Sequence, residues 1–340
     1  MSFSDTYNPS APAAAGDVQG SAISNREDLT DVLTILAPEE TPVLSSASRE
    51  RASSTFVEWT VDKLDNPTTA GIAEGADINT FTDQFRSRAR LGNYVQKFRR
   101  DYMVSDLQEA VDSVGPAKVA QAEAKAIREL KRDIEATLVS AGDSSAENGA
   151  GTPYKLRGLG KWLDGANGDV PADYETPADS RVTAAGSTLT ETQLNTVIRS
   201  IYKEIGTTQN LTLVADPNLR VAISDFARFA GTAGNNGTPD DSSSIRNVNY
   251  NGESTTIKLS VDIYQSDFGT VTIVNSNPAC SRDLTNLDVG YLVNSDYYGI
   301  HELIPMGSTR LPNQGGGERG FVDCALTLGV YHPKAHGMIN

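Results

Sequence analysis

Between Lys118 and Leu138 apolar residues return every three or four positions: Val119, Ala122, Ala126, Leu130, Ile134 and Leu138. That spacing puts them on one face of a helix. The flanking residues are mostly Ala, Glu, Lys, Arg and Leu, the strong helix formers. Pro116 suits a first turn and Gly142 a left-handed stop, which predicts a helix over 116–141. At 1.5 Å per residue it would be roughly 39 Å long, a spine for the sheets around it.

Other patterns are shorter. Ser24 to Ala37 reads as a helix, with Ser24 and Glu27 at capping-box spacing and Pro38 and Pro42 ending it. Phe56 to Leu64 alternates as a strand, with Val57, Trp59 and Val61 on one side. Arg88 to Phe98 reads as a second strand. The Gly- and Thr-rich stretch between them makes an extended hairpin with little core of its own. Residues 164–187 are rich in Asp, Pro and Gly and read as a linker. Thr190 to Gln193 has capping-box spacing and opens a helix carrying Leu194, Val197, Ile198 and Ile201, stopped by Gly206. Leu211 to Ala215 reads as a strand and Asp216-Pro217 as the start of a helix ending near Phe229. Ile257 to Tyr264, Val271 to Asn275, Leu287 to Val293, Ile300 to Ile304 and Phe321 to Tyr331 read as strands. The alternation of helices and strands predicts an α+β chain.

The chain has 340 residues and a formal charge of −15, enough length for two domains. So acidic a chain disfavours a direct grip on nucleic acid. No run approaches the length of a membrane helix, so no membrane partner is expected. The first twenty residues lack the basic start and apolar core of a secretory signal. Residues 1–25 are rich in Ala, Ser, Pro and Gly, an arm that needs a partner surface.

Candidate chemistry is thin. His332 and His336 lie four apart near Cys324, but Pro333 and Gly337 break the helix that would bring them together, so no metal site is expected. Gly315 to Gly320 does not join a strand to a helix and reads as a surface turn. Asp267-Phe268-Gly269 reads as a turn between strands. No nucleophile elbow or cofactor cradle is present, so neither catalysis nor a cofactor is expected. Arg86, Arg88, Arg90, Arg99 and Arg100 cluster on the second hairpin strand. They read equally as a solvated face or as a contact for an acidic neighbour.

The order of parts is specific: arm, extended hairpin, long helix, α/β unit, return strand. Short motifs accompany it: Glu74 to Asp77, Gly92 to Gln96, Ser105, Glu129 to Glu135, Gly149 to Thr152, Arg157 to Leu159, Tyr264 to Gly269, Val271 to Val274 and His332 to Gly337. In this the chain resembles the major capsid proteins of tailed bacteriophages, which share the Hong Kong 97 fold, and more narrowly a branch with podophage-type shell proteins. The resemblance implies an N-terminal arm (1–50), a hairpin or E-loop (51–100), a peripheral domain (101–186 and 296–340) with spine helix 116–141, and an axial domain (187–295). It implies a structural, non-enzymatic subunit, made in the host bacterial cytoplasm. Pentamers and hexamers of it would close an icosahedral virion around double-stranded DNA without sequence-specific binding. Scaffolding, portal and decoration proteins would be its partners. Gly71, Glu74, Arg86, Arg88 and Arg90 are the expected intersubunit contacts. The alternative is an encapsulin-like nanocompartment shell, and a third reading is a soluble α/β enzyme.

Overall fold

The computed structural model describes residues 41–111, 118–149, 151–165, 168–183, 189–206, 208–226, 248–250, 255–257, 262–275 and 289–339. The expected helix at 24–37 and nearly all of the N-terminal arm lie outside them. Pro42–Ser46 is a short helix (α1) and Ser48–Arg51 a strand (β1). Phe56–Val61 (β2), Ala89–Tyr94 (β3) and Gln96–Val104 (β4) are strands, followed by helices Asp106–Ala110 (α2), Lys118–Val139 (α3) and Leu159–Leu163 (α4). Arg181–Val182 (β5), Glu191–Ile205 (α5), Leu211–Ala215 (β6), Pro217–Asp225 (α6), Val248–Tyr250 (β7), Thr255–Ile257 (β8), Ile263–Ser266 (β9), Gly269–Asn275 (β10) and Gly290–Asn294 (β11) come next. Tyr298–Leu311 (β12), Glu318–Val330 (β13) and Gly337–Ile339 (β14) close the chain.

Among the described residues one sheet runs β1-β12-β13-β4 and another runs β5-β14-β11-β6-β10-β9. Helix α3 lies on the first. Its Leu130, Ile134 and Leu138 are fully buried in one cluster with Phe98, Tyr102, Cys324 and Leu328. Helix α5 covers the second, where Leu194, Val197, Ile198 and Ile201 meet Leu213, Val271, Leu292 and Ile339. Thr190 and Gln193 form the expected capping box, and Gly206 ends α5 at φ 74°.

Several expectations are corrected. The second hairpin strand is two strands: β3 pairs with β2, and after Val95 the chain continues as β4 beside β13. Arg99 and Arg100 therefore sit in the body and not on the hairpin. Gly142 has no left-handed φ. The spine ends at Val139, where the Ser140 N–H bonds to Thr137 and the Ser140 carbonyl accepts from Gly160. Pro42 starts a helix instead of ending one, since a missing N–H is harmless in the first turn. The stretch 164–187 is more than a linker: Val170 and Tyr174 are buried and β5 forms a sheet edge. Strand β14, in a stretch the sequence pattern left without an element, pairs with β11 in the second sheet. Strand β12 runs to Leu311 because β13 supplies a partner along most of its length.

Three buried polar groups tie these layers. Asn93 is fully buried on β3. Its Nδ2 donates to the carbonyls of Arg157 (3.1 Å) and Leu328 (2.8 Å), and its Oδ1 accepts from the Arg157 N–H (2.8 Å). Glu135, 1% exposed on α3, accepts the Val43 and Leu44 N–H groups at 2.9 and 2.8 Å. It thereby satisfies the open N-terminus of α1. Burial raises the pKa of its carboxyl, against the pull of those two hydrogen bonds. His336, also fully buried, accepts the Asn294 N–H on Nδ1 (3.1 Å) and donates from Nε2 to the Tyr297 carbonyl (3.3 Å). That fixes a neutral Nε2–H imidazole.

Two outcomes are expected. Asn93→Leu strands three buried backbone groups, so urea unfolding of isolated subunits should show a loss of at least about 3 kcal/mol. An unchanged midpoint would remove Asn93 from its role. Burial, the leading cause, pushes the pKa of His336 down to about 4 from 6.5. The unfolded chain then binds the extra proton first, so this stability is whole above pH 6.5 and is lost as pH falls toward 4. The loss is about 3 kcal/mol. Stability measured across that window should fall less steeply in His336→Gln than in the parent.

Candidate assembly surfaces

The hairpin leaves the body as a short ladder, Phe56↔Tyr94 to Val61↔Ala89. Its base is packed: Trp59 meets Trp162 at 5.7 Å and stacks on His301 at 6.4 Å. Side chains alternate as expected, with Val61 buried and Glu58 and Thr60 exposed. Gly92 lies against Phe56, where a Cβ would come within 2.6 Å of the ring. Beyond Val61 the arm has no ladder. Residues 62–88 run through turns at 74–75 and 84–87.

That arm carries large exposed apolar side chains, one of which, Phe85, is covered in part by the Arg88 guanidinium 4.0 Å from its ring centroid. Leu64 is 95% exposed, Ile72 89%, Ile78 73%, Phe81 85% and Phe85 62%. Five large apolar side chains left in water within one short stretch make it a candidate interaction surface. Of the expected contact residues, Gly71 has open space around it and Glu74 is exposed beside Gly75, whose φ is 77°. Arg86 pairs with Asp65 (2.7 Å) and Arg88 with Asp62 (2.9 Å), both within the arm. Hydrogen bonds from Arg88 and then Ser87 hold the Asp62 carboxyl below its usual range. Arg90 is exposed on β3 and makes no ion pair among the described residues. The five arginines do not act as one cluster: Arg100 grips Asp133 on α3 (2.6 and 2.8 Å), and Arg99 lies over the Phe321 ring.

The arm's root is fixed by contacts that the sequence pattern did not reveal. Lys63 pairs with Asp173 (2.8 Å), and the Tyr174 hydroxyl donates to the Ser87 carbonyl (2.5 Å). A groove of about 590 Å³ lies beside this root, lined by Asp62, Lys63, Asp65, Asp173, Lys203 and Lys334 among others. Its walls carry both signs of charge and little apolar surface, unlike a small-molecule pocket. The signal that was available is the Asp173-Tyr174 pair inside a stretch otherwise read as linker.

The residues considered for chemistry have structural work. Cys324 is buried in the first core, and burial pushes its thiol pKa up to about 12. His332 lies between the Tyr174 and Tyr297 rings. His336 is tied to backbone on both nitrogens. Asp267 and Phe268 form the turn between β9 and β10, and Gly315 and Gly317, at φ 92° and 115°, turn β12 into β13. Among the described residues no group of three or more His, Cys, Asp or Glu side chains is placed to hold a metal ion, and no helix is long and apolar enough to cross a membrane.

Solved capsids share this architecture. The capsid of an empty GTA particle aligns with a TM-score of 0.58 at 14% identity, over 97% of this chain and 99% of that one. The capsid of cyanophage A-1(L) gives 0.58 at 15% over 93% and 96%. Mycobacterium phage Bobi gives 0.57 at 11% over 95% and 98%. Among curated proteins none matches. The fold is that of the Hong Kong 97-type capsid proteins. The family model described as SU10 major capsid protein matches residues 14–340. With arm, spine and sheets all inside that match, the chain belongs to the SU10 major capsid protein family and is a structural subunit of a tailed-phage shell.

Proposed function

We propose that the chain builds its shell through pentamers and hexamers that close an icosahedral head around double-stranded DNA, with the 62–88 arm as the main lateral contact. The carrying observation is the row of exposed apolar residues on that arm: Leu64, Ile72, Ile78, Phe81 and Phe85. Apolar area left in water is a standing cost that a neighbouring copy removes. Gly71 and Glu74 lie in the arm's exposed stretch, Arg86 and Arg88 at its base, and Arg90 on the ladder. The Arg86 and Arg88 pairs are exposed, so they exchange for a neighbour's carboxylates at little cost.

The chain divides into a peripheral unit (101–186 and 296–340) and an axial unit (187–295). The two buried clusters around α3 and α5 favour this, with Val214, Tyr291 and Val293 packing into the first and Ile339 of β14 into the second. The N-terminal arm, as residues 1–50, and the hairpin, as 51–100, complete the division. Scaffolding, portal and decoration proteins are the further partners of such a shell. The host bacterial cytoplasm is its place of synthesis.

Deleting residues 67–80 should leave a folded subunit, because this tip buries nothing in its own chain. Circular dichroism should stay near native while electron micrographs show no closed shells. Phe81→Glu should reduce shell yield in the same direction with a smaller effect. Normal shells from the deletion would remove the arm from assembly.

A further inference from the structure

The formal charge of −15 hides a segregated face on α3. Between Ala120 and Arg132, the residues turned outward are Ala120, Gln121, Ala124, Lys125, Arg128, Lys131 and Arg132. At about 100° per residue they fill an arc of about 140°. Of these, Ala120, Ala124, Lys125, Arg128 and Lys131 are exposed, and Gln121 and Arg132 are half-buried. The arc holds four cations and no carboxylate.

Glu123, Glu129 and Asp133 lie on the flanks of this arc, and Glu135, in line with it one turn further on, is buried under α1. Glu123 faces Arg310 of β12 at 3.8 Å. Glu129 and Asp133 face Arg100 of β4 at 4.0 and 2.6 Å. Lys125 reaches back to Glu129 only at 3.8 Å, with a side chain 65% exposed. Lys131 makes no ion pair among the described residues. The buried N–H of Arg132 Nε also has no partner there. Glu123, Glu129 and Asp133 are thus tied toward the sheet, while Lys125, Arg128 and Lys131 are exposed and Arg132 is half-buried. Ala120 and Ala124 leave the surface low between them, so a rod-like polyanion can approach closely.

We propose that this outward face of α3 contacts the phosphate backbone of the DNA inside the shell. This rests on the reading that the shell encloses duplex DNA. Lys125, Arg128 and Lys131 are spaced about 4.5 Å apart along the helix axis, so the stripe is about 9 Å long. Duplex DNA presents one charge per about 1.7 Å of its axis, so several phosphates fall within that length. Ion contacts of this kind carry no sequence information. Few cations per copy give weak, salt-sensitive contacts, repeated over every subunit. The net negative charge elsewhere keeps DNA from adhering generally. An acidic patch on a neighbouring copy is the competing occupant.

Lysine acetylation read by mass spectrometry separates the two. Free capsomers, DNA-filled shells and shells emptied of DNA are labelled in parallel. Lys125 and Lys131 should react several-fold more slowly in filled shells than in emptied ones, and emptied shells should match capsomers. Equal rates in filled and emptied shells overturn the proposal, whether both are fast or both are slow. If both are slow while capsomers react fast, a neighbouring copy covers the face. Failure of the chain to form any shell with its helper proteins would instead overturn the assembly reading.

Discussion

One buried amide sets the geometry on which the rest depends. Asn93 bonds to both backbone groups of Arg157 and to the Leu328 carbonyl, so it joins the hairpin ladder, the loop after the spine and strand β13 at one point. Arg157, 2% exposed, extends that joint. It reaches Asp143 and Asp169 with its guanidinium and lies 5.0 Å from the Trp162 ring. Buried amides and charges persist only when nearly every partner is supplied. The three segments must therefore meet in one arrangement. The direction in which the hairpin leaves the body follows from it.

That rigidity at the root contrasts with the arm beyond it. Val61 and Leu91 are core residues, yet a few positions on Leu64 is almost fully in water. The subunit by itself leaves that surface in water. The long β12–β13 hairpin shows the same division, with Tyr298 and Ile300 buried at one end and Leu311 exposed at the other. Each extension is anchored by a dense core and exposed at its far end.

Charge follows a parallel logic. Arg100, Arg310 and the flanking carboxylates stitch the spine to its sheet, while Glu135 holds α1 at the far end. Once those acids are committed inward, the remaining cations define the outer face. Net charge describes solubility and long-range repulsion. It says little about a surface where the two signs have been sorted by position.

The sequence by itself determined the elements whose period is strong. The spine's apolar face, the α5 capping box with its Gly206 stop, and the alternation of Val57, Trp59 and Val61 were legible because local spacing decides them. The order of parts, with its short motifs, was enough to point to the capsid fold. What tertiary structure decided was everything carried by a distant partner. Glu135 lies off the apolar stripe of the spine, and its burial is explained only by the N–H groups of α1, some ninety residues away, which require an acceptor. The strand from Arg88 breaks at Val95 because two different partners claim its halves, and Arg99 and Arg100 go with the second. Which arm carboxylates Arg86 and Arg88 take, and that β14 crosses to the other sheet, are equally non-local. A residue's neighbours in sequence fix its backbone habit, but the cost of a buried unpaired group is settled only when the whole chain has closed around it.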